Sequence, residues 1–133
     1  MIPRVVIDTN IYISAIFWGG KPREVVDLGR DEKILVFTSS DIEREIVEKL
    51  RTKFKLGHEE IEYIISDFST FTKPVEITSR IQAVLNDPDD DKFIECAVFG
   101  KAGFIISGDK HLLNIKEYHG IKILTAAECL LFF

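Results

Sequence analysis

The sequence predicts an α/β fold: a three-layer α/β/α sandwich around a central parallel sheet. Short apolar runs of strand length recur along the chain, RVVID at 4–8, ILVFT at 34–38, FIIS at 104–107 and IKIL at 121–124. Their continuous β-branched and aromatic character suits strands buried on both faces. Between them lie segments of helical periodicity, and alternating strands and helices build a parallel sheet covered on both sides. With 133 residues, 46% of them hydrophobic and 29% charged, the chain suits one globular domain over 1–133 with a real core. No internal repeat, low-complexity tract or Pro/Gly/Ser linker marks a second one.

Taken in order, helices are expected at 11–18, 22–30, 40–53, 58–71, 89–101 and 126–131, with TKPVEI at 72–77 a short extended piece. Asn10 is a good N-cap for the first helix. The 40–53 helix has an apolar seam of Ile42, Ile46 and Leu50. For 89–101, Asp87 suits the N-cap and Pro88 the first turn, with Phe93, Ile94 and Ala97 on the buried face.

The apolar runs fall far short of the roughly 18 residues of a membrane span, and MIPRVVIDTN lacks a signal-peptide pattern, so a soluble, cytoplasmic protein without a membrane partner is expected. Cys96 and Cys129 each sit in an apolar helical pattern and read as reduced core thiols. A formal net charge of −5 argues against broad, non-specific nucleic-acid binding. A polyanionic substrate needs local help, from basic clusters or bound cations.

In open parallel sheets the ligand site lies beyond the carboxyl ends of the strands. Two strands deliver an acid there: RVVID ends on Asp8, and FIISGD places Asp109 just past its strand. Between them NDPDDDKFIECAVF at 86–99 is the most acidic stretch. At about 100° per residue Asp90 falls over the face buried by Phe93, Ile94 and Ala97, whereas Asp91 lies toward the flank and Asp89 is displaced the other way. A fourth acid comes from the 40–53 helix, where Glu45 borders the apolar seam and Glu43 also falls near it. Helical geometry alone does not choose between them.

Singly, each acid has an ordinary explanation. Asp8 suits a loop ahead of Asn10, Asp109 a cap for a short helix carrying Leu112 and Leu113, the 87–91 cluster a helix N-terminus, and Glu45 an i, i+4 pair with Lys49. Together they meet at the edge where such folds build sites. Neighbouring carboxylates raise one another's pKa, and a divalent cation removes that repulsion. Oxygen-only ligation fits Mg²⁺ or Mn²⁺; His58, His111 and His119 lack zinc-type spacing, and His111 is a candidate substrate contact. Such ions activate water and neutralise charge on a phosphodiester.

VVIDTNIYISAI, an acid in the helix after the second strand, DPDDDKFIECA, and FIISGDKHLL followed by IKILTAAECL together resemble the PIN-domain nucleases, in order and over nearly the whole chain. The subgroup most similar is the VapC-like toxin component of toxin–antitoxin pairs. The resemblance implies a Mg²⁺- or Mn²⁺-dependent endoribonuclease acting on RNA, often a homodimer, with a cognate antitoxin as partner. By position it places the metal-holding, catalytic acids on Asp8, Glu45, Asp90 and Asp109, with Asn10 beside the first. It favours Glu45, which precedes seam residue Ile46, over Glu43. Asp91 stands where relatives often carry Asn, and the excess of acid at 87–91 allows a one-residue shift.

Rival readings fare worse. A receiver domain needs an acid after a middle strand, where this chain has TSS; a haloacid-dehalogenase-like phosphatase needs Asp at position 10, where Asn10 stands. A non-catalytic PIN-derived binding module remains the alternative, and the four acids speak against it. For substrate, KLRTKFK at 49–55, including Lys53, and WGGKPR at 18–23 offer local positive charge, with Trp18 available to stack on a base. The competing reading makes these lysines helix-end solvation and Trp18 a core or dimer residue.

Overall fold

Val5, Val6 and Ile7, all at most 3% exposed, make the centre of a sheet covered on both faces. The computed structural model describes residues Met1–Phe133. Its strands are β1 (Arg4–Ile7), β2 (Leu35–Thr38), β3 (Thr72–Pro74), β4 (Phe104–Ile106), β5 (Glu117–Tyr118) and β6 (Ile121–Leu124). Their order is β3-β2-β1-β4-β6-β5, and every pairing is parallel except β5 with β6.

The helices are α1 (Thr9–Phe17), α2 (Gly20–Arg30), α3 (Ser40–Thr52), α4 (His58–Phe71), α5 (Asp91–Phe99), α6 (Lys110–Ile115) and α7 (Ala126–Phe132). The strands' two-residue alternation splits the core into the two outer layers of the sandwich. Val6, Phe37, Ile105 and Ile123 pack with Ile42, Ile46 and Leu50 of α3, Phe68 of α4 and Phe93 of α5. Val5, Ile7, Val36, Ile106 and Leu124 face the other way, toward Val25 of α2 and Cys129 of α7. The α3 seam lies as the sequence placed it: all three residues are fully buried, each worth about 2–3 kcal/mol of apolar transfer. Cys96 and Cys129 are buried and unpaired, and burial pushes their thiols up to about 12 and about 11.

Three local expectations change. The first helix starts at Thr9, because Asp8 itself is the N-cap and its Oδ1 accepts the Asn10 N–H at 3.1 Å. The acidic helix opens as a 3-10 turn, Pro88–Asp90, before turning α at Asp91. Expected only as an extended piece, 72–77 contributes the three-residue edge strand β3. The β5–β6 hairpin was not anticipated. It turns through His119 and Gly120, both at positive φ (48° and 87°), so that a His-Gly pair does the work usually signalled by Asn-Gly. No helix is long and apolar enough to cross a membrane.

Candidate metal centre

From β1 the chain moves outward to β2 and β3, then crosses over to return at β4 on the other side of β1. Strand order therefore reverses between β1 and β4, which opens a crevice at their carboxyl ends. Asp8 directly follows β1 and is 2% exposed. Its Oδ2 accepts the Ser107 hydroxyl at 2.6 Å, and Oδ1 takes the Asn10 amide. Burial raises its pKa, and the Glu45 charge adds to that, against the lowering effects of the Ser107 and Asn10 hydrogen bonds and of Lys49.

Ser107, fully buried, also accepts the Asp109 N–H at 2.9 Å, so one hydroxyl fixes both strand-end acids. The sequence reading missed it. It counted Ser107 only as the last residue of the FIIS run, and the hydroxyl's role shows only in its burial and its two partners. Asp109 caps α6 through Oδ1, which accepts the N–H groups of His111 at 2.8 Å and Leu112 at 3.3 Å. The capping role foreseen for it is real, and the cap fixes the carboxylate at the crevice.

Across the crevice Asp90 is buried at 9% exposure, and its Oδ2 has no hydrogen-bond partner. Carboxylate oxygens of Asp87, Asp90 and Asp109 lie within 4.8 Å of one another. Burial, then the hydrogen bond and charge of Asp109, then Asp87 and Asp8, push Asp90 up to about 8. Asp109 goes the other way: burial opposes it, but Asp90 and the Leu112 and His111 amides hold it below the usual range. Without a cation the pair therefore shares a proton near neutral pH.

Asp87, expected as a cap, occupies the N-cap position of the 3-10 turn but makes no side-chain cap hydrogen bond. Its carboxylate joins the cluster instead, a placement helical geometry could not give because the turn winds more tightly than an α-helix. Asp91 is committed elsewhere: its Oδ1 accepts from Ala83 N at 3.0 Å and Val84 N at 2.7 Å. Inward-facing Asp90, not Asp91, stands in the crevice. The buried Glu95, unremarked in the sequence, accepts from Arg80 and from Ile81 N, bracing the same segment.

Glu45 sits beside this cluster rather than within its 4.8 Å circle. Lys92 donates to its Oε2, and Lys49 Nζ lies 3.8 Å from Oε1, the i, i+4 pair the sequence suggested. Lys49 also donates to Asn10 Oδ1 at 3.0 Å, which puts Asn10 on the rim. Glu43 lines a separate cleft with Ser39, Ser69 and Thr72. Lys53 is exposed at the end of α3, eight residues and about 12 Å of helix rise beyond Glu45. His111 is close enough to Asp109 for its charge to lower that carboxyl's pKa. Trp18 is 70% exposed, against Phe17 and Phe54, which removes the core reading for it. A more apolar cleft, lined by Tyr12, Ile16, Arg23, Tyr63 and Asp67, includes none of these acids.

The sequence matches the PIN domain pattern over residues 4–111. The chain belongs to the PIN-domain family. It is 40% identical, over 119 residues covering 86% of this chain and 76% of the relative, to an uncharacterized protein of Methanocaldococcus jannaschii. The PIN fold of this chain also resembles a chain in the crystal structure of VapBC2 from Rickettsia felis bound to a DNA fragment from their promoter. That likeness has a TM-score of 0.65 at 12% identity, covering 92% of this chain and 98% of the other. PIN nucleases generally use divalent metals, and the PIN domain here has a clustered acidic site.

The donor set fits such an ion on structural grounds. All donors are hard carboxylate oxygens, one of them buried without a partner, and none of Asp8, Asp87, Asp90 and Asp109 forms an ion pair.

Proposed function

We propose that this PIN protein is a VapC-like, Mg²⁺- or Mn²⁺-dependent endoribonuclease, the toxin component of a toxin–antitoxin pair. The observation that carries the reading is the partnerless, buried Oδ2 of Asp90 within 4.8 Å reach of Asp87 and Asp109. Family membership supports hydrolysis of nucleic acid, and the VapBC2 neighbour supports an antitoxin partner. The protein acts as one domain over 1–133, as a cytoplasmic homodimer.

Asp90 and Asp109, with Asp87, would hold the ion, and Asp8 and Glu45 would complete the carboxylate set around it. When bound, the divalent ion supplies Lewis acidity and charge neutralisation toward a phosphodiester. The chain's own groups do the rest. Ser107 and the Asn10 amide hold Asp8 facing the crevice. Asp90 releases its proton as the site loads, which makes ion uptake favour higher pH. Asn10 on the rim, His111 beside Asp109 and Lys53 at the end of α3 contact the RNA, and Lys53 engages phosphate outside the cutting site.

Incubating chelator-stripped protein with a mixed RNA pool tests this. Cleavage that is absent in EDTA and restored by Mg²⁺ or Mn²⁺ supports it. Metal binding without cleavage would instead favour the non-catalytic PIN-derived module.

A further inference from the structure

The carboxylates of the site divide into two halves with opposite charge balance. Asp87, Asp90 and Asp109 crowd three acids within 4.8 Å, and no lysine or arginine pairs with any of them. Glu45 is the reverse, with an ammonium at each of its oxygens, Lys92 at Oε2 and Lys49 at Oε1. Lys92 differs from an ordinary surface lysine. Its side chain is only 18% exposed, against a Glu45 side chain at 20%, and its Nζ lies 5.8 Å from the centroid of the Phe93 ring. It also follows Asp90 by two residues, on the segment that carries that acid to the crevice, and it meets α3 through Glu45.

We propose that Lys92 is the site's second cation, held where a two-ion phosphodiesterase carries its second divalent ion, so that each chain binds one Mg²⁺ or Mn²⁺ ion. The inference rests on the metal-dependent reading above and specifies how that site neutralises a phosphodiester. Two-metal centres place their ions about 3.5–4 Å apart between shared carboxylates. Here the half with unpaired acids offers a divalent ion a strong gain, whereas entry beside Glu45 requires displacing an ammonium that is already paired. Lysine is a compact point charge with three donors, and only one hydrogen bond of Lys92 is used, by Glu45. The remaining donors are free for a phosphate oxygen of the strand bound against the ion. The built-in charge persists at low metal concentration, and it leaves one ion to be loaded.

Calorimetric titration with Mn²⁺, with bound manganese counted independently by electron paramagnetic resonance, tests the proposal. Wild type should hold one ion per chain. Lys92→Gln should take up a second, weaker ion beside Glu45; the double variant Lys92→Gln/Glu45→Gln should return to one, and Lys92→Arg should stay at one. Two ions in wild type, or a Lys92→Gln variant that stays at one ion while its apo melting temperature drops, would overturn the inference and leave Lys92 as a structural pair. If Lys92→Gln does not fold, Glu45→Gln decides. Retention of one ion within about tenfold of wild-type affinity, the scale of an outer-shell effect, supports the assignment, and complete loss of binding overturns it. Wild type that binds no manganese at all would defeat the metal-dependent reading together with this inference, an outcome distinct from a count of two.

Discussion

Replacing Asp90 by Asn separates ligand from cap. The carboxyl is raised from 3.8 to about 8 in the folded protein, mainly by burial and the neighbouring Asp109. At about 1.4 kcal/mol per unit, that sets a ceiling of roughly 5–6 kcal/mol on the cost of ionising Asp90 in the apo fold. The fall of Asp109 offsets part of this, and about half, near 3 kcal/mol, is the expected net cost to the pair. The sign follows from proton counting. Between the unfolded and folded values the native state binds more protons than the unfolded state at this site, so the stability contributed by protonated Asp90 is complete below about pH 4 and is lost as pH rises through about 8. Asparagine has no proton to lose, and its amide can still donate to Asp109. In EDTA, melts of wild type and Asp90→Asn should therefore diverge between pH 5 and pH 9, the variant gaining roughly 5–10 °C over wild type. Mn²⁺ at about 100 times its dissociation constant should then add roughly 2.7 kcal/mol to wild type and little to the variant. A variant less stable than wild type in EDTA at pH 9, or a gap that ignores pH, would refute the reasoning and leave Asp90 as a helix-start residue.

Glu45→Gln should lose most RNA cleavage while Glu43→Gln, whose side chain lines a different cleft, retains most of it; the opposite pattern in initial rates would show that the acid of α3 is misassigned. Ser107→Ala removes the hydroxyl shared by Asp8 and the Asp109 amide, at a cost of about 1–3 kcal/mol for buried partners left unpaired, and should weaken Mn²⁺ affinity in the same calorimetric assay used for wild type. Cleavage should weaken as potassium chloride rises from 50 to 200 mM, because phosphates held by charge release counterions on binding; a flat salt profile would argue against lysine-mediated RNA contact.

Much of the frame was legible in the sequence because it depends on periodicity. The strands at 4–7, 35–38, 104–106 and 121–124 and the seam of Ile42, Ile46 and Leu50 follow from alternation and helical spacing, and Asp90's inward orientation follows from the same arithmetic. What stayed hidden depends on three-dimensional neighbours. Asp87 reaches the cluster through a 3-10 turn, and Ser107 reaches Asp8 from 99 positions away in sequence. Lys92 meets Glu45 only because α5 and α3 share one face of the sheet. The capping reading, set against the ligand reading in the sequence, leaves the latter open: the backbone N–H groups of α1 and α6 hold Asp8 and Asp109 in place at the crevice.

The central claim is that the carboxylate cluster holds a divalent ion used to cut RNA, and the most direct measurement follows cleavage of one RNA pool against Mn²⁺ concentration for wild type, Asp8→Asn and Asp109→Asn prepared in parallel. Wild type should show no cleavage in EDTA and a saturable rise with Mn²⁺, while both variants, folded by circular dichroism, fall by orders of magnitude at every concentration. Cleavage that persists in EDTA, or that survives undiminished in Asp109→Asn, would contradict the account.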